Sequence, residues 1–222
     1  MHETPLGPSL TRGEYWLLES VVEAGIPICW LAWDSLGEAL NKQGHGLARP
    51  ILLQTLDDLF QAGLLEASHS LDETPRRLTI EQLDAALDEN QAVDQGFSFY
   101  TLTERGGAVW EAFAQPRWEQ FLQSDWSIEP EHAPLATARV AGVDKKLVER
   151  YVQGLHYLNR VPEPASIQWR EHSPWQATHW KVLPHAYEIT FDFVPRDDEP
   201  FSWNQVPLSY WWIYHNKWYT WK

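Results

Sequence analysis

The side chains able to do chemistry are present in this 222-residue chain, but their spacing is not that of a reactive centre. There are nine histidines, and the densest group is His172, His179 and His185, at separations of seven and six. No His-Glu-x-x-His, His-x-His or Cys-x-x-Cys spacing occurs, so no metal centre is expected. The single cysteine, Cys29, lies in the apolar run Ile26 to Trp33 with no base beside it. It reads as a small buried hydrophobe, and no intrachain disulfide can form. A Gly-x-Ser-x-Gly elbow is absent. Gly44-His45-Gly46 and Gly106-Gly107 are isolated, without the rest of either nucleotide-binding fingerprint. The carboxylate pairs Asp57-Asp58 and Asp197-Asp198 are adjacent in sequence, so on a helix or strand they diverge into solvent. No catalytic residue and no cofactor is expected, and the chain reads as non-enzymatic.

The unusual side chain is tryptophan, 14 in all, with eight from Trp169 onward. Large aromatic rings can fill a core or form a contact surface. On alternating strands half of them face outward, which makes Trp175, Trp180, Trp203, Trp211, Trp212 and Trp218 the candidate partner-binding residues. Base stacking would require cations among the rings. Arg170, Lys181, Lys217 and Lys222 are offset by Glu171, Glu188, Asp192 and the run Asp197 to Glu199.

Charge separates the two halves. The net charge is -14, and residues 1 to 125 hold 7 Lys+Arg against 20 Asp+Glu, which leaves the remainder of the chain close to neutral. Affinity for nucleic acid depends on neutralising phosphates with Lys and Arg, so nucleic acid is disfavoured as a partner and a basic protein is favoured. An immunity-type or inhibitor protein that covers a toxin's active site would have this character. No apolar stretch approaches a spanning helix and no signal-peptide core follows Met1, so a cytoplasmic protein with no membrane partner is expected. Oligomeric state is not legible.

The elements that would position these residues follow from pattern. Thr11 and Glu14 form a capping box, starting a helix near Arg12 that Gly25 and Pro27 end. Asp34 caps a second helix over Ser35 to Asn41, and Pro50 opens a third that runs to Gly63. Leu64, Leu65 and Ala67 begin a strand. Thr79 and Gln82 form another capping box, opening an acidic helix that carries Asp84, Asp88 and Glu89, with Asp94 beyond it. Phe97 to Leu102 alternates as a half-buried strand, and Thr103 caps a helix bearing Val109, Trp110 and Phe113.

That junction, Tyr100-x-Leu102-Thr103-x-x-Gly106, resembles the end of a winged-helix domain of the MarR and PadR type. Its longer form, through Gly107, Trp110 and Glu111, resembles a group of uncharacterised bacterial proteins. The resemblance implies a winged-helix-like domain over residues 1 to 125, with the acidic helix inserted in its wing. It also implies an alternative function, a DNA-binding transcription regulator using Arg49, Arg76, Arg77 and Arg105. Against this, the third helix offers one arginine and two acids, where base readout needs several Arg, Lys, Asn or Gln.

Helix continues from Trp110 to Phe121 with a break at Pro116. Asp125 to Pro134 reads as the connection to a second domain, residues 126 to 222. There a strand over Leu135 to Ala141 leads through Gly142 and the N-cap Asp144 into an amphipathic helix with Leu147, Tyr151, Leu155 and Leu158 on one face. Strands are expected over Ile167 to Arg170, Ala177 to Leu183, Ala186 to Val194 and Leu208 to Tyr219, with Arg196 to Pro200 a turn. The whole is an α+β protein: a winged-helix-like domain, then a small, mostly antiparallel α+β domain rich in aromatic residues. It is expected to act through protein contacts made by the exposed aromatics and the acidic wing helix.

Overall fold

The computed structural model describes residues 9–32, 44–89, 96–128, 135–158, 160–195 and 218–220. The expected helix over Ser35 to Asn41, the turn at Arg196 to Pro200 and nearly all of the expected strand from Leu208 lie outside the described residues. The chain is α+β and forms two compact units. The first spans residues 1–114 together with Thr178–Lys181; the second takes Gln115–Ala177 and residues 182–222. The boundary at residue 125 expected from composition lies inside a strand of the second unit.

In the first unit, α1 (Arg12–Glu19) begins at the Thr11 and Glu14 capping box, with both reciprocal bonds made. It presents Tyr15, Trp16, Leu17 and Leu18 to the core. The two-residue strand β1 (Ile26–Pro27) leads into a short 3-10 turn, and α2 (Arg49–Gln61) starts with Pro50 in its first turn. Proline has no N–H to lose there. Gly63, at φ +66, ends that helix in the left-handed region. Strands β2 (Leu65–His69) and β3 (Asp72–Arg76) follow, then α3 (Ile80–Leu87), capped by Thr79 and Gln82, then β4 (Ser98–Leu102) and α4 (Glu104–Ala114). The sheet is antiparallel throughout, in the order β1-β4-β2-β3. Ser98, Tyr100 and Leu102 of the central strand face inward, while Phe99 and Thr101 are half-buried.

Helix α4 stops at Ala114 rather than continuing to Phe121. Gln115 takes φ 50 directly before Pro116, whose ring disfavours α-helical backbone in the residue ahead of it, and only a 3-10 turn, Trp118–Gln120, follows.

The second unit is built on an antiparallel sheet with order β5-β6-β10-β7. Strands β5 (Leu122–Ser127), β6 (Ala136–Gly142), β7 (Gln168–His172) and β10 (Ala186–Phe193) form it, and β8 (Trp175–Gln176) pairs with β9 (Val182–Leu183) as a separate hairpin. The stretch from Asp125, expected as a connection, is strand as far as Ser127, because β5 pairs with β6 from Leu122↔Gly142 to Ser127↔Thr137. Ala177 to Leu183 is not one strand; Thr178–Lys181 is a turn.

Helix α5 (Lys145–Gly154), capped by the Asp144 side chain on the Lys146 N–H, covers one face of the sheet. Val148, Val152 and Leu155 pack there on Ala136, Ala138, Val140, Ile189, Phe191 and Phe193. Each large apolar side chain so buried contributes roughly 1.5–3 kcal/mol before entropy is counted. No described helix is long and apolar enough to cross a membrane.

Candidate interaction face

The arginines that a nucleic-acid reader would present are turned back onto the chain's own carboxylates. Arg49 opens α2, and Asp84 on α3 and Asp88 at its C-terminal cap lie one turn apart, so one guanidinium can reach both. Nε donates to Asp84 Oδ1 at 2.8 Å, Nη1 to Asp88 Oδ1 at 2.8 Å, and Nη2 to Asp88 Oδ2 at 2.7 Å and to the Asp84 carbonyl at 2.9 Å. The bonds from Asp88 and then Asp84 raise the Arg49 pKa above its usual range, and Arg49 in turn holds Asp88 below the usual carboxylate range. The groups are exposed, so the fork fixes geometry more than it adds stability.

Arg77 repeats the arrangement in reverse, donating from Nη2 at 3.2 Å to Asp57 on α2, a nearly buried carboxylate that also accepts from Gln61 at 2.5 Å. Gln54 donates to Asp58 at 2.9 Å. Thus the polar side chains of α2 long enough to read a base are held by acids of the same helix or of α3. Of the four arginines of the DNA reading, Arg49 and Arg77 are tied in this way, while Arg76 on β3 and Arg105 on α4 are exposed. The acids of the inserted helix are engaged too: Glu89 accepts from the Ser98 N–H at 2.6 Å and from its hydroxyl at 2.9 Å.

The aromatic candidates separate differently. Trp175, Trp180 and Trp218 are buried, which corrects the expectation that they form a contact surface; Trp203, Trp211 and Trp212 lie outside the described residues. Trp175 and Trp218 pack around Phe121, with ring centroids 6.0 and 4.7 Å away. Trp180 sits in a turn, where strand alternation does not apply. Its ring lies on Gly107, meets Trp110 edge-on at 6.1 Å, and donates Nε1–H to the Val22 carbonyl at 2.9 Å. Beside it, Lys181 Nζ bonds both oxygens of Glu111 at 2.7 and 2.6 Å.

This accounts for the junction motif residue by residue. The Tyr100 hydroxyl pairs with Ser20 at 2.9 Å in a buried site, and burial raises its pKa. Thr103 accepts from the Gly106 N–H and donates to the Gly63 carbonyl. An added Cβ at Gly106 would overlap the Leu64 carbonyl, and one at Gly107 would overlap the Trp180 ring. The repeated glycine therefore receives a tryptophan and is no phosphate loop. Its signal was in the sequence as Gly-Gly followed by Trp110 and Glu111, but the partner lies some seventy residues away.

The three histidines do not converge as a site. His179 bonds the backbone of Leu102 and Glu23, His185 packs edge-on against Tyr187, and His172 Nε2 lies 3.3 Å from Glu188. Glu188, nearly buried on the sheet face away from α5, also lies 3.8 Å from Arg139, which donates to Asp125 at 2.7 Å. Sequence reasoning counted Glu188 only as an offsetting charge. Among the described residues no group of three or more His, Cys, Asp or Glu could hold a metal ion. Comparison with protein-family models, with curated proteins and with solved structures finds no match for this chain.

Proposed function

We propose that this is a non-enzymatic protein that acts through protein contacts, with an N-terminal winged-helix-like unit that does not read DNA. The observation that carries the reading is the Arg49 fork on Asp84 and Asp88, since a guanidinium held between two carboxylates must break those bonds to take a phosphate. The winged-helix part is supported by the order of helix, short strand, helix, hairpin, inserted helix and strand, with β4 lying between β1 and β2. The acidic balance of residues 1 to 125 favours a basic protein partner, and a cytoplasmic location agrees with the single cysteine and the lack of a long apolar helix among the described residues. The rival reading, a DNA-binding regulator, would rest on Arg76 and Arg105, the two arginines of its set that lie outside these carboxylate bonds.

Fluorescence anisotropy of labelled random-sequence duplex DNA, at roughly 20–50 mM salt where phosphate contacts are strongest, separates the two readings. Absence of saturable binding is expected. Saturable binding that weakens steeply with salt would overturn the proposal, and its loss in Arg76→Gln or Arg105→Gln would establish the regulator.

A further inference from the structure

Where β6 begins and β10 ends, the second unit leaves apolar surface uncovered. Ala136 and Phe193 are the last register partners of that ladder, so Leu135 and Val194 leave the sheet together. With Val161 from a third stretch of chain they line one groove of about 260 Å³, over the buried Phe193. Leu135 is 40% exposed, Val194 46% and Val161 57%. Single exposed apolar side chains are ordinary, but three that converge on one hollow mark a contact surface. The volume falls below the roughly 300–1,000 Å³ of small-molecule pockets, and the walls are open, so the groove suits a side chain projecting from a partner.

One wall is fixed in advance. Pro162 and Pro164 restrict their own backbone, and Glu163 between them donates its N–H to the Asp192 carbonyl at 2.7 Å. The Asp192 N–H donates to Ser166 Oγ at 2.7 Å, and the Ser166 hydroxyl and N–H both donate to the Glu163 carbonyl, at 2.8 and 3.0 Å. A wall tied to β10 in this way needs little ordering on binding. Glu163 is exposed, is the only ionisable residue of the lining, and forms no ion pair among the described residues. The neighbouring Asp192 carboxylate is taken by the Thr137 hydroxyl at 2.7 Å, and Arg160 stands over Trp126 at 5.3 Å and lines no part of the groove. Apolar walls with one unpaired carboxylate complement a side chain with an apolar stem and a cationic end, which describes lysine and arginine. An acidic side chain would be repelled by Glu163, and an apolar one would gain nothing from its charge.

We propose that this groove seats a lysine or arginine side chain of the basic protein partner, the stem along Val161 and Val194 and the cation on Glu163. The test is solution NMR of the full chain with labelled valine and leucine methyl groups. It is titrated with the peptide acetyl-Ala-Arg-Ala-amide and with its citrulline counterpart, which keeps the shape and removes the charge. The methyl resonances of Leu135, Val161 and Val194 are expected to move saturably at millimolar arginine peptide, and the citrulline peptide should bind about fivefold more weakly, the size of an exposed ion pair. Glu163→Gln should erase that difference, and Val161→Ser, an exposed change, should weaken both peptides. Methyl groups unmoved at about 20 mM arginine peptide would overturn the proposal. So would citrulline binding as tightly as arginine, which would make the groove a seat for an uncharged side chain, or an arginine preference retained in Glu163→Gln. DNA binding in the anisotropy titration would overturn the basic-partner reading on which this rests, whereas unmoved methyl groups would overturn the groove alone.

Discussion

Cations in the two units are handled in different ways. In the first, Arg49 is forked on Asp84 and Asp88, Arg77 rests on Asp57 and Lys181 on Glu111, so these cations are closed by carboxylates of the same unit. In the second, Arg139 is likewise bonded to Asp125, but Lys145 lies 4.9 Å from the Trp169 ring centre and Arg160 lies 5.3 Å from that of Trp126. A cation over a ring keeps most of its charge for an incoming anion, whereas one between carboxylates does not. Packing does not divide them: Gly106 and Gly107 of the first unit leave no room for a single added carbon, and a Cβ at Gly142 of the second would lie 2.7 Å from the Leu122 side chain.

The largest test of that contrast is Trp180→Ala. It empties the seat on Gly107 and removes the indole donor of Val22, and should lower stability to urea by about 3–5 kcal/mol. A cost below about 1 kcal/mol would mean that the seat is not part of the packed first unit. A matched pair of small additions comes next. Gly107→Ala drives a methyl into the Trp180 ring and should cost about 2–3 kcal/mol, whereas a methyl added in Gly44→Ala meets nothing within 4 Å and should cost less than about 1 kcal/mol. Equal costs would remove the distinction between closed and open packing.

Charge supplies the third test. Asp84→Asn combined with Asp88→Asn releases Arg49, so DNA binding measured by anisotropy at low salt should rise above that of the unmodified chain. No rise would show that the fork is not what keeps this face from DNA.

The smallest effect is on pH. Burial lowers the His179 pKa below its usual value, against the backbone bonds to Leu102 and Glu23 that favour the charged ring. As pH falls, the unfolded chain, with a His pKa of about 6.5, takes up this proton before the folded one does. Stability is therefore complete above that value and declines as pH falls from it toward the lower folded pKa. His179→Gln should flatten that part of the stability curve, as followed by urea midpoints between about pH 5 and 7.5. The ring is partly exposed, so the slope should be shallow.

Features closed within three or four residues were legible in the chain. The capping boxes at Thr11 and Thr79 and the cap at Asp144 each need only a side chain and the nearest backbone N–H groups, and each is made. The alternation of Ile189, Phe191 and Phe193 against Thr190 and Asp192 was legible for the same reason, because a strand with one face on a core repeats every second residue, but the burial of Glu188 on the other face was not. The identities of the candidate residues were legible, but what engages them was not. Trp180 has no local signature of burial, since the glycine beneath it lies far earlier in the chain. Arg49 has none of its fork, whose carboxylates are 35 and 39 residues away. The packing around Ala138 depends on strands whose register joins residues 126, 138 and 191.

By itself, then, the sequence determined the class of fold, the acidic character of the first half, and the starts of three helices, because each rests on composition or on bonds between near neighbours. Tertiary structure alone decided which tryptophans are buried and which arginines are neutralised. Each of these depends on which distant backbone comes to lie beside a given side chain, and no local pattern carries that information.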